Sequence, residues 1–140
     1  MQEKYLSPTQ EAGRDFINRK IPGEVVMLNL LRFKKSADYS ENPELAPAKP
    51  ITGEMAYHLY MEHTLPFLKR SGGDILFFGK GGNFLIGPTN EVWDAVMLIR
   101  QKTVQSFIAF ASDPEYLKGM GHRTAALEDS RLLPIIESVV

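Results

Sequence analysis

Two adjacent residues near the end of the chain, His122 and Arg123, are of the types best suited to acid–base chemistry on an anion. A histidine exchanges a proton near neutral pH, and an arginine holds a carboxylate with two parallel hydrogen bonds. The pair predicts a site for an anionic or enolisable substrate, with His122 as candidate general acid or base and Arg123 as the carboxylate ligand. The alternative is structural: Arg123 pairs with Glu128 or Asp129, and His122 caps a helix end.

Three further side chains are candidates for the same site. Asn29 is the only polar residue before Arg32 in an apolar run that begins at residue 25. Its amide either orients a carbonyl or enolate oxygen in catalysis or bonds a neighbouring backbone or dimer group. Arg100 ends a later apolar stretch and is either a ligand-binding residue at a pocket rim or half of a surface ion pair. Trp93, the only tryptophan, is a candidate ligand contact or a core residue.

The composition argues against several kinds of chemistry. The chain has no cysteine, which excludes disulfides, thiolate zinc sites, iron–sulfur clusters and cysteine nucleophiles. The polar group Glu54, His58, Glu62 and His63 lacks a metal-binding spacing, and the glycine-rich segment 79–82 lacks that of a phosphate loop. We therefore expect neither a metal nor a tightly bound cofactor.

The charge pattern also narrows the partners. A net charge of -1 gives no field that would draw the chain to nucleic acid or to an anionic membrane. No apolar run approaches the ~18 residues that a membrane span needs, and the N-terminus is polar. We expect a soluble cytoplasmic protein that binds neither nucleic acid nor membrane.

The elements that position the candidate residues follow from the apolar pattern. A chain of 140 residues suits one domain. Ser7 is the predicted N-cap of a short helix to about Lys20, so residues 1–21 form a helical extension and 22–140 the single domain. Residues 25–33 read as a central strand. The loop 34–50 is too long for a simple connector, and it is a lid, an arm that reaches a partner subunit, or disordered.

The rest of the chain alternates strands and helices. Thr52 begins a helix that stops at Gly72-Gly73. We predict a hairpin with strands at 75–78 and 83–86 around a glycine-rich turn at 79–82, and a further strand from Val92 to Arg100. The remaining elements are a helix capped by Thr103, a short helix capped by Asp113, and a closing edge strand over 132–136.

The order of elements predicts the fold and an assembly. Without the first helix and the extra hairpin strand, the order is β-α-β-β-α-β, the ferredoxin-like α+β arrangement with an antiparallel sheet and helices on one face. The strands are apolar on both sides, so the helices leave one apolar face bare. We expect a homodimer in which the bare sheet faces pack together.

Several short segments in order resemble the bacterial family known as domain of unknown function 1330. They are Met27–Phe33, Gly72-Gly73, Trp93-Asp94, Asp113–Tyr116, His122-Arg123 and Ala125–Leu127, and the match covers about residues 22 to 134. The resemblance implies the dimeric α+β barrel superfamily, with the same fold and dimer. It carries over no catalytic residues.

The wider superfamily suggests a range of functions by analogy of fold. It includes cofactor-free monooxygenases, small-ring isomerases, haem-degrading enzymes and ligand-sensing domains, many of which place a small organic ligand between sheet and helices. The leading hypothesis is an enzyme, isomerase-like or monooxygenase-like, that acts on a small oxygenated or carboxylated molecule. The rival is a non-catalytic module for ligand binding or dimerisation, and a polar-lined cavity of at least ~300 Å³ would favour a ligand site.

Overall fold

The computed structural model of the chain describes residues 3–140. Its elements, in order, are α1 (Gln10–Asn18), β1 (Val25–Phe33), a 3-10 turn (Pro43–Leu45), α2 (Gly53–Arg70), β2 (Asp74–Asn83), β3 (Val92–Gln101), α3 (Val104–Ala111), α4 (Pro114–Leu117), α5 (Met120–Ala126) and β4 (Leu127–Ile135). The four strands form one antiparallel sheet in the order β2-β3-β1-β4. This is the predicted ferredoxin-like fold, which is confirmed.

Three predicted helix starts are confirmed by their capping hydrogen bonds. The side chains of Thr52, Thr103 and Asp113 accept from backbone N–H groups in the first turns of α2, α3 and α4. Such caps satisfy donors that a helix leaves open at its N-terminus. At the other end of α2, Gly72 has a φ of 86°, a left-handed conformation that glycine adopts without strain.

The predicted cap of α1 is wrong by two residues. Thr9, rather than Ser7, accepts the hydrogen bond from the backbone N–H of Ala12, at 3.0 Å. Both positions offer a hydroxyl before the same apolar stripe, so local pattern did not separate them. Residues 6–8 instead lie outside any helix and border the body of the protein at its cavity.

The predicted hairpin at 79–82 is also wrong. Residues 74–83 form one continuous strand, paired from Asp74 with Arg100 to Asn83 with Val92, and the connection to β3 is the segment 84–91. The glycines serve close packing: a Cβ at Gly81 would lie 2.5 Å from the carbonyl oxygen of Trp93. At position 81 the strand therefore requires glycine, a residue type that local sequence patterns associate with turns.

Strand alternation gives the sheet two unlike faces. In β1, Val25, Met27, Asn29 and Leu31 are buried, and the residues between them are only half-buried. The buried set packs against the helices and forms the core. We call this the covered face, and the other side of the sheet the open face.

The long loop 34–50 packs on its own chain. The backbone N–H of Asp38 donates to the carbonyl of Ala125 at 3.0 Å, and a Cβ at Gly121 would strike Leu45 and Asn42. Of the three predicted alternatives, these contacts favour the lid, and this lid lies over α5.

Candidate functional site

A cavity of about 360 Å³ lies between the covered face of the sheet and the helices. This exceeds the size at which a ligand site is favoured over a filled interior. Four of the six methionines line it, together with aromatic and aliphatic side chains. The polar side chains that line it are Ser7, Asn29, Tyr57, Tyr60, Thr64, Gln101, Tyr116, Arg123 and Thr124.

Three tyrosines give the cavity phenolic hydroxyls. The Tyr60 and Tyr116 hydroxyls lie 2.6 Å apart, so one proton of the pair bridges them and the other stays free to donate. Burial raises the pKa of Tyr57 and of Tyr116, the latter also through its contact with Tyr60, and the Arg123 guanidinium opposes both rises. These phenols therefore remain protonated near neutral pH and act as hydrogen-bond donors.

Arg123 brings positive charge to the cavity without an acidic partner. Its Nη1 donates to the carbonyl oxygen of Leu6 at 2.6 Å, and its Nη2 donates to Ser130 Oγ at 3.4 Å. The predicted structural alternative fails, because Glu128 pairs with Lys4 and Asp129 pairs with other arginines. A guanidinium that lines a cavity without a carboxylate is suited to bind an anion.

Asn29 also faces the cavity, from the buried side of β1. Its amide nitrogen donates to the carbonyl of Met27 at 3.1 Å, as the structural alternative expected of a neighbouring backbone group. Its oxygen makes no hydrogen bond with any residue that the structure describes. One half of the amide is therefore fixed by the strand, and the other half is available to a ligand.

Two buried polar atoms in the cavity wall have no partner in the described part of the chain. They are Thr64 Oγ1 and Gln101 Oε1, on residues that are 4% and 1% exposed. An unmet hydrogen-bonding group costs about 1–3 kcal/mol in a protein interior, and native structures contain few of them. These atoms mark a second polar region of the cavity.

The N-terminal segment borders the cavity with Leu6, Ser7 and Pro8. It is held along β4 by Arg123 and by a hydrogen bond from the Tyr5 backbone N–H to Asp129 Oδ1, at 2.8 Å. Arg123 thus ties down this segment with one side of its guanidinium while it lines the cavity.

The other predicted site residues lie elsewhere. His122 lies inside α5 and turns to the long loop, where its Nδ1 lies 2.7 Å from the Tyr39 hydroxyl. Burial, and then His63, lowers the pKa of His122, so the ring is neutral near pH 7. Arg100 is on the open face, paired with Glu24 and Asp74. Of the five predicted residues, the structure brings only Asn29 and Arg123 to the cavity.

Trp93 is buried but does not line the cavity. The guanidinium carbons of Arg32 and Arg131 lie 4.7 and 5.0 Å from its ring centre, and its Nε1 donates to Glu91 Oε1 at 3.2 Å. These contacts stabilise the end of the sheet where β1, β3 and β4 meet.

The sequence analysis missed the three tyrosines, Thr64 and Gln101. A signal existed on α2: Tyr57, Tyr60 and Thr64 follow the i, i+3 and i+7 spacing of one helix face. For Gln101 the signal was strand parity, since it shares its side of β3 with Met97 and Ile99. None of these residue types stands out in a list of catalytic groups, which is why the pattern was passed over.

Other possible sites are weaker. A groove of about 430 Å³ lies along residues 36–51, but a single loop lines it and Lys49 is its one charged side chain. Across residues 3–140, no group of three or more His, Cys, Asp or Glu residues is placed to hold a metal ion. Nor does that part of the chain contain a helix long and apolar enough to cross a membrane.

Comparison with known proteins finds close structural relatives of unestablished function. The structure is similar to a crystal structure of a protein of unknown function from Rhodopseudomonas palustris, with 32% identity and a TM-score of 0.86 over 99% of this chain and 100% of the other. A methylated form of that protein gives 32% identity and a TM-score of 0.85, over 97% and 96% of the two chains.

A more distant likeness is to a dimeric protein of unknown function and ferredoxin-like fold from Bacteroides fragilis. The identity is 12% and the TM-score 0.48, over 80% of this chain and 94% of the other. No model of a known protein family matches the sequence, and no functionally curated protein does.

Proposed function

This chain belongs to the same family as the Rhodopseudomonas palustris protein of unknown function, and from its cavity we infer that it binds a small carboxylated organic molecule. The observation that carries the proposal is Arg123, a guanidinium that lines the cavity and has no acidic partner among the described residues. The ligand carboxylate would accept from Arg123 and from the phenols nearby. Its apolar body would lie among the methionine and aromatic side chains.

The electrostatics of the wall support an anion over a cation or a neutral polar molecule. No Asp, Glu, Lys or His is among the described residues that line the cavity, so Arg123 is its one formal charge there. Phenols with raised pKa values add donors without adding negative charge. A bound carboxylate would thus neutralise a partly buried cation and satisfy donors at the same time.

Binding to matched probes tests this proposal. We expect 3-phenylpropanoate to bind at least about tenfold more tightly than 3-phenylpropan-1-ol, as measured by calorimetry or NMR titration, because hydrogen bonds to charged groups contribute about 1.5–3 kcal/mol. Arg123→Gln should abolish the difference. Arg14→Gln, a change of the same type on the exposed side of α1, should preserve it. Equal binding of acid and alcohol to the native protein would contradict the proposal.

A catalytic function is the second candidate, and the Tyr60–Tyr116 pair favours it. The hydroxyl proton that this pair leaves free, 2.6 Å from the neighbouring oxygen, could be donated to an enolate oxygen, as isomerase-like or cofactor-independent monooxygenase-like chemistry requires. His122 as general acid or base stays a prediction, as do ligand roles for Arg100 and Trp93. Solvent deuterium exchange at the α-carbon of a bound keto acid, lost in Tyr60→Phe, would support catalysis, and exchange that persists in His122→Ala would refute the predicted role of His122. Binding without exchange would favour the non-catalytic module.

We also propose that two chains associate through their open faces. Phe77 and Leu133 there are 56% and 54% exposed, and aliphatic side chains of β1 and β3 between them are half-buried. A bare apolar face of that kind is uncommon on a monomer. Light scattering at micromolar concentration should give about twice the 15.8 kDa chain mass, and a monomeric mass would refute the dimer.

Three further predictions concern the family, the cellular location and the partners of this protein. Membership of the domain of unknown function 1330 family rests on the segments quoted above, and a sequence profile built from the Rhodopseudomonas palustris protein and its relatives would check it. The cytoplasmic location and the lack of nucleic-acid partners stay predictions from composition. Cell fractionation and a gel-shift assay with mixed nucleic acids would check them.

A further inference from the structure

We propose that the ligand carries a hydroxyl group at the end of its apolar body opposite the carboxylate. This inference rests on the proposed function, since Arg123 fixes the carboxylate end. It adds the identity of the second end, which the two unpartnered atoms of the cavity wall define.

We assign the second end to Gln101 and Thr64, because a Cβ at Gly73 would lie 2.5 Å from Leu68 and 3.2 Å from Gln101 Oε1, and Thr64 is one turn before Leu68 on the buried side of α2. Both side chains are more than nine-tenths buried, both line the cavity, and neither Thr64 Oγ1 nor Gln101 Oε1 has a partner among the described residues. In addition, no atom of the Gln101 side chain hydrogen-bonds to that part of the protein. A buried glutamine whose side chain makes no hydrogen bond with the described residues is suited to bind a polar group of a ligand.

The register of the sheet separates this end from Arg123. Gln101 pairs with Val25 at one end of β1, while Ser130, which contacts Arg123, pairs with Leu31. Six residues of strand, or about 20 Å between backbones, therefore lie between the two anchoring positions. The polar ends are placed along the strand axis, with the apolar part of the cavity between them.

The chemistry of the two orphan atoms selects a hydroxyl. Gln101 Oε1 is an acceptor and needs a donor, and the Thr64 hydroxyl can both donate and accept. A ligand hydroxyl would donate to Gln101 Oε1 and accept from Thr64. A second carboxylate would present only acceptors, and Arg123, the cation it would need, is at the other end.

The apolar walls leave the body of the ligand loosely specified. Met27 and Met97 on the sheet, with Met61 and Met120 on the helices, line the space. Methionine adapts its shape to different partners. The selectivity of the site therefore lies at its two polar ends.

Two acids that differ only in the distal hydroxyl test the inference. We expect 3-(4-hydroxyphenyl)propanoate to bind the full-length protein at least about tenfold more tightly than 3-phenylpropanoate, in line with the effect of satisfying buried polar groups. Thr64→Val and Gln101→Leu should each reduce this ratio towards one, with little change in the affinity for 3-phenylpropanoate. Thr64→Ser should restore the preference.

Thr124→Val provides the matched control. Thr124 also lines the cavity, but its hydroxyl already donates to the carbonyl of Met120 at 3.4 Å, so this change should preserve the preference. Thermal unfolding of each variant would show that it folds.

The outcomes separate this inference from the proposed function. If both acids bind with equal affinity and this binding depends on Arg123, the protein does not recognise the distal hydroxyl, and only this inference is overturned. A water molecule that already bridges Thr64 Oγ1 and Gln101 Oε1 would give this result. If the preference survives both Thr64→Val and Gln101→Leu, it is also overturned. If neither acid binds better than 3-phenylpropan-1-ol, the proposed function falls and this inference with it.

Discussion

The two faces of the sheet are made from the same strands but have opposite character. The covered face carries Asn29 and Gln101, amides with unmet hydrogen-bonding capacity, in a cavity with one arginine. The open face is aliphatic at its centre, and at one end Arg100 lies in exposed ion pairs with Glu24 and Asp74. Unpaired polar groups are buried on one face and paired ones are exposed on the other, which is the reverse of what stability alone would favour.

Neighbouring residues show how sharply strand parity divides these roles. Arg100 and Gln101 are adjacent, yet Arg100 is on the open face in ion pairs, and the Gln101 side chain is in the cavity with no hydrogen-bond partner for its Oε1 among residues 3–140. Charge made Arg100 the more conspicuous candidate in the sequence. The comparison teaches that a charged residue with partners carries less information about a ligand than a neutral one without them.

The largest expected effect comes from charging the centre of the open face. Leu98→Arg should leave the protein monomeric at micromolar concentrations where we expect the native chain to be dimeric, because two guanidinium groups would be buried against an apolar face. Light scattering measures this. Ile17→Arg is the control, since Ile17 is 55% exposed on α1, and its dimer should persist. A dimer that survived Leu98→Arg would place the interface elsewhere.

Matched leucine truncations in β1 compare the two faces directly. Leu31 is fully buried on the covered face. Leu31→Ala should lower the free energy of unfolding by about 2–5 kcal/mol at any protein concentration. Leu28→Ala, on the open face, should act mainly on the dimer, so its effect should depend on concentration. Urea unfolding at two concentrations checks both, and equal, concentration-independent losses would contradict the distinction.

A smaller effect should follow from Gly81→Ala, which tests how far the sheet continues along β2. The new Cβ would lie 2.5 Å from the Trp93 carbonyl oxygen, so we expect a loss of about 1–3 kcal/mol in urea unfolding. Gly13→Ala is the control, because nothing lies within 4 Å of its Cβ and a helix favours alanine. A neutral Gly81→Ala would return this segment to the turn that the sequence predicted.

The smallest expected effect is a pH dependence of stability that arises at His122, on the side of α5 that faces the loop and not the cavity. Burial, and then His63, lowers the pKa of His122, so the unfolded chain binds the proton more readily. The contribution of neutral His122 is complete above its ordinary pKa of about 6.5 and is lost as the pH falls through its lowered value. Thermal unfolding between pH 7.5 and 5 should show a decline that His122→Gln reduces, and an unchanged slope would refute this origin.

Local chemistry predicted much of the fold. Thr52, Thr103 and Asp113 are each followed by an apolar helical stripe, and all three caps were confirmed. The β1 boundaries were also right, because nine nearly uninterrupted apolar residues suit a central strand. Glycines in β2 misled the analysis, since their reason lies in the backbone of β3, which is distant in sequence.

The candidate site was less predictable than the fold. Asn29 and Arg123 were found because a polar group in an apolar strand and an arginine beside a histidine are conspicuous in sequence. Gln101 and Thr64 were missed, since their significance is the absence of a partner among the described residues. That property depends on every neighbour at once and leaves no trace in local pattern.

The sequence by itself determined which residues alternate in each strand, where the helices begin, and the ferredoxin-like order of elements, because these depend on short-range sterics, capping and apolar periodicity. Only the tertiary structure decided that Arg123 has no acidic partner among residues 3–140, that His122 turns to the loop, and that Thr64 and Gln101 line the same cavity. Partners and cavities arise from packing between elements far apart in the chain, so they exist only once the fold has formed.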